Sequence, residues 1–240
     1  MQNPITVVFY PIDLVNNHWR FLMNQDFVER CQEAADRLAS IRIVPVLVLT
    51  SETKALKLCE LLMKRGLGAA EITFRTKEAA SIITSISKNF PELYVGAGTI
   101  LNVADLKRAF DSGARFAVAP GFNPRVVKAA IEGGHPFAPG VCTPSEIEQA
   151  CELGCRFLKF FPAEAAGGVS MLKAVSGPYK HLGLRFMPTG GVTSKNAIDY
   201  LAIKEVAAVG GTWLGKAEDL DADNWDKIDS LIAEAALLAK

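Results

Sequence analysis

The chain has 240 residues, half of them apolar, and 26 basic residues balance 26 acidic ones. That length carries a large core and fits one α/β barrel better than one small domain. The balanced charge argues against a nucleic-acid or anionic-membrane partner, so an anionic ligand needs a locally built site.

The N-terminus, Met1-Gln2-Asn3-Pro4, has no basic region, and the apolar stretch 5–15 is interrupted by Pro11 and Asp13. It reads as neither a secretory signal nor a membrane span, and a soluble cytoplasmic protein is expected. Residues 26–38 have a helical pattern. They belong to an extension, residues 1–40, whose helix is expected to cap the bottom of a barrel formed by residues 41–240. The cysteines Cys31, Cys59, Cys142, Cys151 and Cys155 are odd in number and irregular in spacing, which implies free thiols rather than a disulfide framework. Cys151 and Cys155 are four apart, a spacing that puts both on one helix face.

From about residue 43, short apolar runs alternate with longer amphipathic segments. The runs 43–49, 69–75, 94–100, 114–120, 136–141, 156–162, 185–191 and 206–212 are rich in Val, Ile and Phe and almost continuously apolar. Strands buried on both faces of a parallel sheet have this character. Ser51-Glu52-Thr53-Lys54 opens a helix whose stripe is Leu58, Leu61 and Leu62, with Gly66 placed to cap its C-terminus. Asn123 and Pro124 open a helix that runs to Glu132 and stops at Gly133-Gly134. Thr143-Pro144-Ser145-Glu146 opens another, with Thr143 as N-cap, Pro144 at the first position and Glu146 completing a capping box. Eight units of roughly 20 to 30 residues predict an α/β fold, a single (β/α)8 TIM barrel with an N-terminal helical extension. A doubly wound open sheet usually carries a G-x-G-x-x-G turn after its first strand, where this chain has Thr50-Ser51-Glu52.

Barrel chemistry sits at the C-terminal ends of the strands, so polar residues within or ending these runs are the candidates. Lys159 lies inside Phe157-Leu158-Lys159-Phe160-Phe161. Burial of an ammonium lowers a lysine's pKa, and a neutral amine in an apolar pocket is the species that adds to a ketone to form a Schiff base. A lysine in this place can also be a mere partner of a buried carboxylate. Glu71, Thr73 and Arg75 alternate along the second strand and share one face. On the inner face, Glu71 can move protons and Arg75 can grip a carboxylate with two parallel donors; alternatively they form a structural ion pair. The third strand ends Gly96-Ala97-Gly98-Thr99, which permits close approach of a ligand or of backbone. The last two strands end Thr189-Gly190-Gly191 and Gly210-Gly211-Thr212. Glycine pairs there fit the phosphate site that many barrels build from their final two loops. His18, His135 and His181 form no cluster with metal-ligand spacing, while an all-carboxylate magnesium site stays open on spacing alone.

Together these segments resemble the 2-keto-3-deoxy-6-phosphogluconate (KDPG) aldolase family, which also includes 4-hydroxy-2-oxoglutarate (KHG) aldolases. The matching stretches are 68–76 with its Glu-x-x-x-Arg-Thr block, 96–99, Ala119-Pro120-Gly121, 157–164 with its Lys-Phe-Phe-Pro-Ala-Glu block, 188–191 and 210–213. The resemblance implies Lys159 as Schiff-base lysine and Glu71 as general acid and base. It implies Arg75, Thr99 and Thr189 as contacts of the pyruvate moiety, and Pro120 and Phe161 in the substrate pocket. Gly190, Gly191, Gly210, Gly211 and Thr212 would hold a phosphate. It further implies a homotrimer, with no metal and no cofactor. The N-terminal segment is longer than the family's, and Thr212 stands where a serine is common.

The expected activity is cleavage of KDPG to pyruvate and glyceraldehyde 3-phosphate in the Entner–Doudoroff pathway. Four alternatives stand beside it: the same chemistry on KHG, the same chemistry on the galacto epimer of KDPG, a non-catalytic barrel that binds sugar phosphates, and a metal-dependent barrel aldolase.

Overall fold

A computed structural model describes residues 14–240, with side chains from residue 25 onward. Residues 5–13 of the apolar N-terminal stretch, and the side chain of His18, lie outside what is described.

The chain runs α1 (Leu14–Ile41), β1 (Ile43–Leu47), α2 (Glu52–Arg65), β2 (Ala69–Thr73), α3 (Ala79–Asn89), β3 (Tyr94–Gly98), α4 (Val103–Asp111), β4 (Phe116–Val118) and α5 (Pro124–Glu132). It continues with β5 (Phe137–Ala138), β6 (Gly140–Val141), α6 (Pro144–Glu152), β7 (Phe157–Phe160), α7 (Gly168–Ser176), β8 (Arg185–Pro188), α8 (Ala197–Leu201), β9 (Val209–Gly211), α9 (Ala217–Asp221) and α10 (Trp225–Leu238). Every strand pairing is parallel.

One ladder runs β5-β4-β3-β2-β1-β9 and a second runs β6-β7-β8. Two features join them into a ring. β5 and β6 are one strand in the chain, interrupted at Pro139, which has no N–H to give to the ladder. At the other seam, Phe186 pairs with Val206 and Thr189 with Gly210 as isolated bridges. Counting β5 and β6 as one, eight parallel strands close into the expected (β/α)8 barrel. The strands are shorter than the apolar runs, because residues at the run ends turn out of the ladder to form the loops.

The helix caps follow the sequence. Ser51 accepts from Lys54 N–H at 3.4 Å, and Gly66 ends α2 at φ 83°, a left-handed conformation that costs glycine little. Thr143 and Glu146 form a reciprocal capping box at the start of α6. Cys155, in contrast, lies beyond the end of α6 and is fully buried, so it does not share a helix face with Cys151. All five thiols are free.

The helix that contains 26–38 is longer than its apolar pattern and spans Leu14–Ile41. Among its described side chains, Phe27, Cys31, Ala34, Ala35, Leu38 and Ile41 are buried. Cys31 Sγ lies 3.8 Å from Phe137 O, and Asp36 pairs with Arg185 at 3.0 Å. Phe137 and Arg185 are the first residues of β5 and β8. α1 therefore touches the N-terminal ends of strands, the end opposite the polar residues considered next.

Candidate active site

β2 and β7 are the second and sixth strands of an eight-stranded ring and face each other across it. Lys159 Nζ donates to Glu71 Oε1 at 3.0 Å and to Oε2 at 3.3 Å. A contact of that length between opposite strands requires both side chains to point inward, which fixes the inner face of each strand. Alternate strands share a layer of a barrel interior, which is why strands two and six can meet. Glu71 is 0% exposed and Lys159 5%.

The layers above follow from the period of two. Thr73 lies one step toward the mouth, where its hydroxyl donates to Leu47 O at 3.0 Å. Arg75, a further step up, is exposed at the rim, and its Nε donates to Thr73 Oγ1 at 3.3 Å. Within the described residues no carboxylate lies within ion-pair distance of the Arg75 guanidinium. The Phe161 ring centroid is 6.0 Å from Lys159 Nζ and walls that side with apolar surface.

These groups line one pocket of about 270 Å³. Its lining includes Lys159, Glu71, Arg75, Thr99, Thr189, Pro120, Phe161, Gly190, Gly191, Gly210, Gly211 and Thr212, so every residue to which the family resemblance assigns a role is present. Val46, Thr73 and Val192 complete it. Thr73 was visible in the sequence through its alternation with Glu71 and Arg75. Val46 and Val192 carried no signal, since a valine in a buried strand or loop looks the same whether it faces core or ligand.

Glycines shape the pocket in two ways. A Cβ at Gly98 would stand 1.9 Å from Glu71 Oε1, so this glycine makes the space that the carboxylate occupies. Gly98→Ala is therefore expected to keep the fold, at an overpacking cost of about 1–3 kcal/mol. It should displace Glu71 and lower kcat by about 10²-fold. Wild-type kcat in a folded Gly98→Ala protein would show that the position of Glu71 is unimportant. The glycine pairs at the rim are not simply open backbone, as their sequence alone suggests. A Cβ at Gly210 would meet Thr189 Oγ1 at 2.4 Å, and one at Gly211 would meet the Trp213 ring at 1.6 Å. These two permit close packing beneath the rim. Gly190 and Gly191 are different, with φ of 99° and 80°, left-handed values that their turn requires.

Thr99 has φ 60°, an unusual conformation for a β-branched residue and a cost of about 1–3 kcal/mol. It immediately follows Gly98 and puts its side chain on the pocket wall. At the loop after β8, the N–H groups of Gly191 and Val192 make no hydrogen bond among the described residues, and neither does the N–H of Thr212. Unpaired donors beside a pocket suit an anion. Among the described residues no group of three or more His, Cys, Asp or Glu side chains is arranged to hold a metal ion. His135 instead stacks on Phe110, with ring centroids 4.0 Å apart, and burial lowers its pKa.

Comparison with known proteins adds an independent line. The KDPG and KHG aldolase family matches residues 34–231. A 2-dehydro-3-deoxy-phosphogluconate aldolase of Haemophilus influenzae is 43% identical over 209 residues, covering 87% of this chain and 98% of that protein. A KHG/KDPG aldolase of Escherichia coli is 42% identical over 198 residues, covering 82% and 92%. The crystal structure of a KDPG aldolase from Legionella pneumophila, with pyruvate captured at low pH as a covalent carbinolamine intermediate, superposes with a TM-score of 0.78 at 36% identity, covering 83% of this chain and 96% of that one. The match over most of the chain, in sequence and in fold, establishes that this protein is a member of the KDPG and KHG aldolase family.

Proposed function

We propose that the chain is a class I aldolase that cleaves KDPG to pyruvate and glyceraldehyde 3-phosphate, with Lys159 as the covalent nucleophile. The observation that carries this is the Lys159–Glu71 contact at 3.0 Å inside a pocket that opens at the C-terminal ends of the strands. A buried ion pair with no task is poor design, because well-packed apolar residues hold a core as well or better. Here the pair instead puts an amine beside a group that can take its proton.

The steps follow from that placement. Glu71 accepts a proton from Lys159, and the free amine adds to the C2 carbonyl carbon. Glu71 then protonates the departing hydroxyl of the carbinolamine, which leaves as water, and a protonated imine remains. The C4 hydroxyl gives its proton to Glu71 as the C3–C4 bond breaks. Its electron pair passes into the imine, glyceraldehyde 3-phosphate leaves, and an enamine is left on Lys159. Protonation at C3 and hydrolysis of the imine release pyruvate and restore the amine. The iminium is the electron sink throughout, so the scheme calls for neither metal nor cofactor. General acid–base help of this kind contributes about 10²–10⁴-fold.

Arg75, with Thr99 and Thr189, would hold the substrate carboxylate, and Pro120 and Phe161 would wall the carbon chain. Arg75→Lys keeps the charge but loses the two-pronged geometry. kcat/KM is expected to fall about 10- to 100-fold on every keto-acid substrate alike. A loss confined to phosphorylated substrates would put Arg75 at the phosphate end instead. At that end, the loops of Gly190, Gly191, Gly210, Gly211 and Thr212 would bind the phosphate through backbone N–H groups and the Thr212 hydroxyl.

Cleavage of KHG is the second reading, favoured by the E. coli relative named for both substrates; cleavage of the galacto epimer of KDPG requires only a change at C4. A pyruvate-release assay with all three substrates side by side tests the proposal. KDPG is expected to give the highest kcat/KM. Equal or better turnover of KHG would make the phosphate loops incidental. We place the enzyme in the cytoplasm as a homotrimer; no helix among the described residues is long and apolar enough to cross a membrane.

A further inference from the structure

Glu164 ends the Lys-Phe-Phe-Pro-Ala-Glu block but does not line the pocket. Its contacts give it another use. The Ala163 N–H donates to Thr189 O at 2.8 Å and the Glu164 N–H to Gly190 O at 3.0 Å. The segment that leaves the strand of Lys159 is thereby laced to the loop after β8. Tyr200, fully buried on α8, donates its hydroxyl to Glu164 Oε1. On the far side of the same loop, Asn196 Nδ2 donates to Gly191 O at 3.2 Å, while Asn196 Oδ1 accepts from Thr193 N–H at 2.7 Å.

A trans peptide is planar, with its C=O and N–H pointing in opposite directions. The Glu164 main-chain N–H holds the Gly190 carbonyl and therefore aims the Gly191 N–H away from Glu164, while the Glu164 side chain, gripped by Tyr200, fixes where that main chain lies. Holding the Gly191 carbonyl through Asn196 aims the Val192 N–H in the same manner. These are the unpaired loop donors noted above. The Glu164 side chain also lies directly under the turn, where a Cβ on Gly191 would be 2.6 Å from Glu164 Cβ.

We infer that Glu164 is a positioning residue: clamped by the Tyr200 hydroxyl, it fixes the segment that holds the Gly190 carbonyl, so that the Gly191 N–H, beside the Val192 N–H set by Asn196, meets the substrate phosphate. This rests on the phosphate end assigned under the proposed function. Burial, with the Glu164 carboxylate beside it, pushes the Tyr200 phenol above its ordinary value, so it stays a donor at working pH. The clamp also ties the phosphate loop to the strand of Lys159, so the two ends of the substrate are held by one braced unit.

Steady-state kinetics of Tyr200→Phe and of Glu164→Ala, on KDPG and on KHG, test the inference. Tyr200→Phe keeps the ring in the core, and Glu164→Ala alters an exposed position, so neither substitution removes core packing. In both variants KM for KDPG is expected to rise about tenfold. kcat for KDPG, both constants for KHG and borohydride trapping of pyruvate should stay within about twofold of wild type. A merely structural role would reduce both substrates together. Equal losses on KDPG and KHG, or unchanged KM for KDPG in a wild-type background that prefers KDPG, overturn the clamp and leave the aldolase assignment standing. A wild-type enzyme with no preference for KDPG over KHG overturns the phosphate assignment and the clamp with it.

Discussion

Lys159→Arg is expected to abolish turnover, lowering kcat by at least about 10⁴-fold. A guanidinium keeps its proton under all working conditions and offers no lone pair to a carbonyl carbon. The substitution nonetheless preserves a cation opposite Glu71, which is 0% exposed. The fold should therefore survive, and the melting temperature should fall by only a few degrees. Lys159→Met makes the complementary case. It also removes the nucleophile, but it strands a fully buried carboxylate without its partner, which costs about 3–5 kcal/mol. The two variants should be equally inactive and unequal in stability. Activity in the arginine variant above a few per cent of wild type would mean that no imine forms at this position.

Glu71→Gln should be the next largest effect, a loss of about 10²–10⁴-fold in kcat. Glutamine has the shape of glutamate and its carbonyl can still accept from Lys159 Nζ, so the pocket should keep its geometry. It cannot carry a proton between the amine, the carbinolamine hydroxyl and the C4 hydroxyl. Formation of the imine and cleavage of C3–C4 should both slow, while KM changes little. Pyruvate should still be captured on Lys159 by borohydride, at a reduced rate. Near-normal turnover in Glu71→Gln would reduce Glu71 to a charge partner and require another base. Gly98→Ala bears on the same point by a different route, since it moves the carboxylate without removing it.

Much of this candidate site is legible in the sequence. A lysine amid Phe157, Leu158, Phe160 and Phe161 has few explanations once the run is a barrel strand. Glu71, Thr73 and Arg75 declare a shared face by their alternation. What alternation cannot declare is which face is inner, because all five residues of β2 are buried; the 3.0 Å contact between Glu71 and Lys159 settles it. The resemblance to a family supplied the roles proposed for Thr99, Thr189, Pro120 and Phe161, which residue chemistry alone does not assign. The fifth run, 136–141, reads as one strand in the sequence, whereas the ladder breaks at Pro139, which has no N–H to give.

Other features depend on contacts between distant residues and leave no local trace. Nothing in a single sequence pairs Tyr200 with Glu164, or sets Trp213 against Gly211. The rim glycines show the consequence. Two glycine pairs look equivalent as text, yet Gly190 and Gly191 are required by backbone conformation, whereas Gly210 and Gly211 make room for Thr189 and Trp213. Alanine at Gly211 would therefore disturb packing before it reported on a phosphate, and the Tyr200→Phe and Glu164→Ala variants are the cleaner probes of that end.

Reductive trapping tests the covalent role of Lys159 most directly. The enzyme is incubated with pyruvate, reduced with borohydride, digested, and the modified peptide sequenced by mass spectrometry. One reduced pyruvyl group per chain is expected, on Lys159, and none in Lys159→Arg. An adduct on another lysine, or a reduced enzyme that carries no adduct and keeps full activity, would contradict it.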